Sequence, residues 1–286
     1  MKISVFHMSG AGNKFSVLNG NESPFDIDQL NKLAPLLCSK NTINQYYSEG
    51  LILVRSAENG IEFQADFLNP DGSHGAMCGN GGRCAVRFAL DQQIIEIPNE
   101  DICFEMAGKT YNATVTNNLI SVKFPPPVRI NYPTDIEIGN TSTCIGFVDV
   151  GSDHAVIDFN ELHSEFAFDE FNLKDFAPVI RYHRNFGNKG ANVNLFIYTD
   201  GTIRLRTYER GVEAETGACG TGSISTAIIA SIKYGIKFPV KVIPTSGEEL
   251  FIDIEGDLSS IKNIYLKGPA KIIDTYTVEI PDEFFN

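Results

Sequence analysis

Two short segments of this chain nearly repeat each other, and each is built on one cysteine: Met77-Cys78-Gly79-Asn80-Gly81-Gly82-Arg83 and Ala218-Cys219-Gly220-Thr221-Gly222-Ser223. In each, a thiol stands directly before a glycine-rich step that opens into an apolar, helix-like run. A helix N-terminus carries roughly half a positive charge and several unpaired N–H groups. A cysteine placed there ionises more readily, its pKa falling from about 8.5 toward ~3.5–7.5. The same N–H groups can hold a carboxylate, and the glycines let the backbone come close to a ligand. If both helix starts face one ligand, a thiolate and a thiol flank a single carbon. One removes a proton, the other delivers a proton to the far face, and the stereocentre inverts. The two sulfurs then titrate as a coupled pair, and amides fixed on the carboxylate stabilise the charge that develops as the proton leaves.

Other readings of the same residues are weaker. Cys38, Cys84, Cys103 and Cys144 lie in apolar settings that suit core positions. Cys78 and Cys84 are too far apart for a zinc knuckle, and His7, His74, His154, His163 and His183 form no close ligand pair. Neither glycine segment matches a dinucleotide fingerprint or a phosphate loop. Three rivals to a two-thiol epimerase stay open on the residues alone. They are a racemase acting on another amino acid, a redox protein that closes a Cys78–Cys219 disulfide, and a non-enzymatic carboxylate binder.

The elements that must position the thiols can be sketched from pattern. Glu62–Phe67 and Thr202–Thr207 alternate as half-buried strands do. Thr110–Val115 and Leu119–Phe124 flank Asn117-Asn118, a good hairpin turn. Cys84–Leu90 and Ser223–Tyr234 read as apolar helices, and Asp28–Cys38 as a helix with Pro35 awkwardly inside it. Pro125-Pro126-Pro127 cannot lie in a central strand and marks a boundary. It divides the chain into 1–124, carrying Cys78, and 125–271, carrying Cys219, with a last strand in 272–286 expected to return to the first half. Each half runs strands, a Cys-Gly helix, then more strands, which points to an internal duplication of α+β character. The 286 residues, 43% hydrophobic, suffice for two such cores. A net charge of −13 disfavours nucleic acid and anionic membrane as partners. The opening Met1–His7 is too short and polar for a signal peptide, no run of about 18 apolar residues predicts a membrane helix, and six scattered cysteines fit a reducing cytoplasm.

These blocks resemble the diaminopimelate epimerases, cofactor-independent amino-acid epimerases. The resemblance covers nearly the whole chain. It runs through Ser9–Phe15, through Leu68–Ser73 with Met77–Gly81, through Gly151-Ser152-Asp153-His154, through Gly190–Asn194, and through Tyr208–Gly211 with Glu215–Gly222. It implies two pseudo-symmetric domains, each a curved, mostly antiparallel sheet wrapped around a central helix, with the substrate between them. It implies interconversion of LL- and meso-diaminopimelate, on the route to lysine and peptidoglycan, without pyridoxal phosphate or metal, in a cytoplasmic homodimer. Carried over by position, Cys78 and Cys219 become the acid/base thiols, and Gly79-Asn80 and Gly220-Thr221 supply amides to the α-carboxylate. Asn13, Asn69, Ser152 and Asn192 line the substrate. Glu209 and Arg210 read its ammonium and carboxylate, and His154 and Glu209 tune the thiols.

The chain departs from the family pattern at several places. Lys14 replaces the usual Asp, Ser152 an Asn, and Asp153 a Pro. Glu213-Ala214 adds a residue after Arg210, and Tyr46–Gly50 matches its loop loosely. Serine can still donate and accept one hydrogen bond, so these changes bear on recognition of the distal end of the substrate.

Overall fold

The computed structural model describes residues 1–41, 44–58, 60–96, 101–138 and 141–285. In chain order the first elements are β1 (Lys2–Gly10), β2 (Asn13–Asn19), α1 (Ile27–Cys38), β3 (Leu51–Ser56), β4 (Phe63–Leu68), α2 (Gly79–Asp91), β5 (Ile102–Met106), β6 (Lys109–Thr116) and β7 (Leu119–Phe124). There follow β8 (Arg129–Ile138), β9 (Thr141–Asp149), β10 (Asp153–Asp158), α3 (Leu173–Arg181), β11 (Asn192–Thr199), β12 (Thr202–Glu209), β13 (Ala214–Thr216), α4 (Gly220–Tyr234), β14 (Val240–Pro244), β15 (Leu250–Glu255) and β16 (Asn263–Gly268). The last strand is β17 (Lys271–Glu279). Contacts group the chain into two units, Met1–Lys123 with Gly268–Asn286, and Phe124–Lys267.

In the first unit, strand pairing runs β17–β1–β2–β3–β4–β5–β6–β7. Pairing is antiparallel except at β2–β3 and β4–β5. Parallel neighbours need a crossover, and the two crossovers here are α1 and α2. They cover opposite faces of the sheet. Leu51 and Leu53 of β3 join the α1 core with Leu30, Leu33 and Leu37. Ile52, between them, turns the other way, toward Gly81 of α2. Alternation thus buries Leu51 to Val54 completely on both faces. Strands β1, β2, β3, β4 and β17 all touch α2, so the sheet wraps it.

The second unit repeats this plan. Its order is β8–β9–β10–β11–β12–β14–β15–β16, with parallel pairs at β10–β11 and β12–β14. Helices α3 and α4 make the two crossovers. Leu195 and Val193 of β11 face the α3 core, while Asn194 turns toward Gly222 of α4. Strand for strand, with α1 matched by α3 and α2 by α4, the topology is a duplication, legible in the sequence only at the cysteine segments.

Local chemistry explains most boundaries. Asn117 and Asn118 both adopt positive φ (51° and 64°), the left-handed pair that a two-residue hairpin requires. Helix α1 is closed by a capping box between Asp26 and Gln29 and continues through Pro35. Proline removes the N–H that the Asn31 carbonyl would accept. Gly72 packs there instead: a Cβ on it would lie 2.3 Å from the Asn31 oxygen, and its φ is +86°. The two central helices begin earlier than pattern predicts, at Gly79 and Gly220 rather than Cys84 and Ser223. Glycines carry no apolar signal, yet a cap and a buried first turn hold them helical. Among the described residues no helix is long and apolar enough to cross a membrane.

Candidate active site

Each cysteine of the repeated segment is the N-cap of its unit's central helix. Cys78 adopts extended φ/ψ (−105°, 116°), and its Sγ accepts the Gly81 N–H at 3.4 Å. Cys219 does the same (−120°, 115°), accepting from Gly222 at 3.3 Å. An N-cap side chain is ordinarily an oxygen that satisfies one orphan amide. Here sulfur takes that place, so the amide and the helix dipole both favour its anionic form. Neither helix has an acidic residue in its first turn to oppose this. The other four cysteines differ in setting. Cys38 and Cys84 are fully buried in apolar surroundings, and burial pushes the Cys38 thiol up to about 12 and that of Cys84 higher still. Cys103 and Cys144 are half-buried strand residues rather than core ones.

In the first unit Asn13, Gly79 and Asn80 gather at the start of α2. Asn80 is buried and donates from Nδ2 to Asn13 Oδ1 at 2.6 Å. Asn69 sits in the loop between β4 and Cys78. Its Nδ2 donates to Ser73 Oγ (2.9 Å), its backbone N–H donates to Ser73 O (2.8 Å), and its carbonyl accepts from Gly72 (2.9 Å). Asp71 Oδ1 locks the same turn by accepting from Ser73 N and Oγ.

In the second unit, His154, Ser152, Thr221 and Cys219 come together where β10 begins and α4 starts. His154 is completely buried, and burial, with the Arg210 cation adding to it, pushes its pKa down to about 3. The ring is therefore neutral at working pH. Asn194 determines its tautomer. Its Nδ2 must donate to the Ala155 carbonyl (3.0 Å), and its Oδ1 accepts from Thr207 Oγ1 (3.1 Å). The same Nδ2 faces His154 Nδ1 at 3.0 Å. Nδ1 is thus the acceptor and Nε2 carries the proton. Nε2–H lies 2.9 Å from Ser152 Oγ, which donates to Thr221 Oγ1 at 3.3 Å. Thr221 Oγ1 lies 3.5 Å from Cys219 Sγ. With each hydroxyl accepting on one side and donating on the other, the line of donors points at the sulfur.

A second polar group lies beside it. Asn192 follows His154 in register on the parallel β10–β11 pair, and shares a face with Asn194 two residues on. Its amide pins backbone, donating to Asp153 O (3.0 Å) and accepting from Arg210 N (2.9 Å). Arg210 Nη1 donates to Gly190 O (3.1 Å) and Asp153 Oδ2 (3.4 Å). Glu209 Oε1 accepts from Thr216 Oγ1. The aspartate at 153 therefore gives the guanidinium a carboxylate partner that a proline there could not supply.

Sequence reasoning did not single out Asn194, Arg83 or Glu49 as site residues. Arg83 is fully buried and donates to Asn80, and Glu49 accepts from Asn13. The signal available was a polar residue on an otherwise apolar face within a quoted motif. Among the described residues, no three His, Cys, Asp or Glu side chains gather as metal ligands.

A family model described as "Diaminopimelate epimerase" matches residues 5–124 and 146–273. The diaminopimelate epimerase of Hydrogenobaculum sp. is 37% identical over 276 residues, covering 91% of this chain and 93% of its own. That of Chlorobaculum tepidum is 34% identical over 282 residues, covering 96% and 100%. Among solved structures, a hydroxyproline epimerase from Agrobacterium vitis superposes with a TM-score of 0.71 over 98% of this chain and 93% of its own, at 14% identity. At that identity the likeness concerns the fold alone.

Proposed function

The chain belongs to the diaminopimelate epimerase family, and from that premise we propose that it interconverts LL-2,6-diaminopimelate and meso-diaminopimelate, a step toward lysine and peptidoglycan precursors. The observation that carries the reading is the repeated one: each unit of the duplication starts its central helix on a cysteine whose sulfur accepts the amide three residues on.

Cys78 and Cys219 are the two bases. With one as thiolate and one as thiol, the thiolate takes the α-proton from carbon, and the thiol gives its proton to the opposite face. The carbon is inverted and the sulfurs have exchanged roles, so the reverse direction uses the same pair. The electron pair left on carbon delocalises into the carboxylate. Backbone amides of Gly79-Asn80 and Gly220-Thr221, at helix N-termini, stabilise that charge. Arg210 suits a carboxylate with its fork of donors, and Glu209 an ammonium. Asn13, Asn69, Ser152 and Asn192 complete the recognition. Neutral His154 acts through its Nε2–H, by way of Ser152 and Thr221. The proposal extends to a cytoplasmic homodimer, for which light scattering on the eluted protein should give about twice the 31.5 kDa chain mass.

The test is incubation with LL-diaminopimelate in deuterated water. Incorporation of one α-deuterium with appearance of the meso form is expected, and Cys78→Ala and Cys219→Ala should each abolish it. A wild-type protein that leaves the α-hydrogen unexchanged refutes the assignment. Single-headed amino acids serve as the control for a related racemase.

A further inference from the structure

In the first unit four polar side chains form an unbroken line that begins and ends on a charge. Arg83, fully buried in α2, donates from Nη2 to Asn80 Oδ1 at 2.6 Å. Asn80 donates from Nδ2 to Asn13 Oδ1 at 2.6 Å, and Asn13 donates from Nδ2 to Glu49 Oε2. Asn80 and Asn13 are 1% and 4% exposed; Glu49, two residues before β3, is half-buried.

An amide side chain is ambiguous by itself, because its oxygen and nitrogen have nearly the same shape. The ends of this line remove the ambiguity. A guanidinium only donates, so it must meet Asn80 Oδ1. Asn80 then offers Nδ2 to Asn13, which must answer with Oδ1. Asn13 is left to present Nδ2 to a carboxylate, which only accepts. Turning either amide over sets donor against donor on one side and acceptor against acceptor on the other. In a buried row these mismatches find no water to relieve them.

Both ends are otherwise poorly accounted for. Among the described residues neither Arg83 nor Glu49 forms an ion pair; Arg83 Nε donates one long hydrogen bond to Pro269 O (3.5 Å), and its Nη1 finds no hydrogen-bond partner. Burial lowers the Arg83 pKa to about 10, which still leaves a cation at neutral pH, and burial raises that of Glu49 against the hydrogen bonds from Asn13 and the Lys14 backbone. An apolar side chain of similar volume would fill the space of Arg83 without desolvating a charge. What only the guanidinium supplies is an obligate donor. The middle of the line is meanwhile part of the proposed site. Asn80 lies two residues after Cys78, and its carbonyl is so close to β1 that a Cβ on Gly10 would fall 2.4 Å from it.

We propose that Arg83 and Glu49 are positioning residues that fix the polarity of the Asn80 and Asn13 amides, and so hold the first turn of α2 and the Asn13 side chain in the one arrangement that diaminopimelate meets. The inference rests on the epimerase reading above. Neither residue touches substrate; each acts through the amide next to it.

A kinetic cycle of Glu49→Leu, Arg83→Met and the double variant tests it on LL-diaminopimelate. Each single variant should raise KM about 10-fold with a smaller change in kcat. The double should raise it no more than about 30-fold, short of the roughly 100-fold of independent effects, because both ends act on the same two amides. Glu49→Gln keeps an acceptor and should return KM to within about 3-fold of wild type. Effects that multiply, or single variants whose KM stays within about 2-fold of wild type, overturn the proposal. If Arg83→Met does not fold, the nitrogen-15 side-chain amide spectrum of Glu49→Leu decides. The Asn80 resonance, one amide removed from the substitution, should move with that of Asn13, and an unmoved Asn80 resonance overturns the line. The spectrum needs no turnover, so an inactive wild-type protein would count against the epimerase reading and not against the relay.

Discussion

Replacing Ser152 by alanine cuts the line of donors that ends on Cys219, and its effect can be sized from the geometry. The hydroxyl accepts from His154 Nε2 at 2.9 Å and donates to Thr221 at 3.3 Å. Without it, Nε2–H on a fully buried ring has lost its acceptor, a loss of about 1–3 kcal/mol in stability. The ring cannot escape by moving its proton, because Nδ1 is held as an acceptor by Asn194. Ser152 is itself only half-buried, so water can reach the gap, and the lower end, about 1 kcal/mol, is expected. The effect on chemistry is separate. Thr221 loses the donor that turns its own hydrogen toward Sγ, and one neutral hydrogen bond is worth about 0.5–1.5 kcal/mol, or roughly 2- to 10-fold in kcat/KM. Two assays separate the terms: thermal denaturation for stability, and α-deuterium incorporation for kcat/KM. A third reads the sulfur directly, as the rate of iodoacetamide alkylation of Cys219 against pH in a Cys78→Ala background. Donors stabilise the thiolate, so Ser152→Ala should move the alkylation profile to higher pH. An unmoved profile, with kcat/KM unchanged, means that the line does not reach the sulfur.

Asp153 lies 3.4 Å from Arg210, with both side chains a little over a quarter exposed. On the proposed role of Arg210 a substrate carboxylate competes with it, so Asp153→Ala should lower KM for diaminopimelate by up to about 5-fold, the range of a partly exposed ion pair. A raised KM would show instead that the aspartate orients the guanidinium. His154 gives a pH dependence of stability. Its folded pKa is depressed to about 3 by burial, while in the unfolded chain it is about 6.5, so below pH 6.5 the unfolded state binds a proton that the folded state refuses. Stability is present above that value and falls as pH drops toward 3, by about 2 kcal/mol between pH 6.5 and 5. His154→Gln should lose less than wild type over that interval in parallel urea titrations, and equal losses would refute the assignment.

The strands and the two Cys-Gly steps were legible because their signals are local, whereas the first turns at Gly79 and Gly220 carry no apolar pattern. Alternation at Thr202–Thr207 and the Asn117-Asn118 turn need only neighbours in sequence to be read, and both stand in the structure as β12 and the β6–β7 hairpin. The α+β class followed from counting such segments. The parallel pairs did not, since β2–β3 and β10–β11 are fixed by crossovers and by packing on both faces. The same limit applies to the site. Cys78 and Cys219 announce themselves by type and glycine context, and the structure caps a helix with each. Arg83, Glu49 and Asn194 do not, because what sets them apart is a buried partner elsewhere in the fold. Asn13 and Glu49 are 36 residues apart and His154 and Asn194 are 40. No window of sequence joins them; the sheets do.

The duplication sharpens a question about the two thiols. Their caps are nearly identical, with one extended cysteine, one amide on sulfur and no acid in the first turn. A pair that runs both directions of one inversion needs proton affinities close to each other, since a large gap would leave one direction without a competent acid or base. Identical caps do not secure that here, because the surroundings differ. Cys78 is half-buried and Cys219 is 7% exposed, and the deeper burial disfavours a thiolate at the second position. What stands behind each sulfur differs in the compensating sense. Cys78 shares its helix with a buried guanidinium whose charge is favoured by that thiolate. Cys219 has no cation in its first turn, but has hydroxyls aligned by a neutral histidine. Divergence after duplication has thus altered the support behind each cysteine rather than the cysteines themselves.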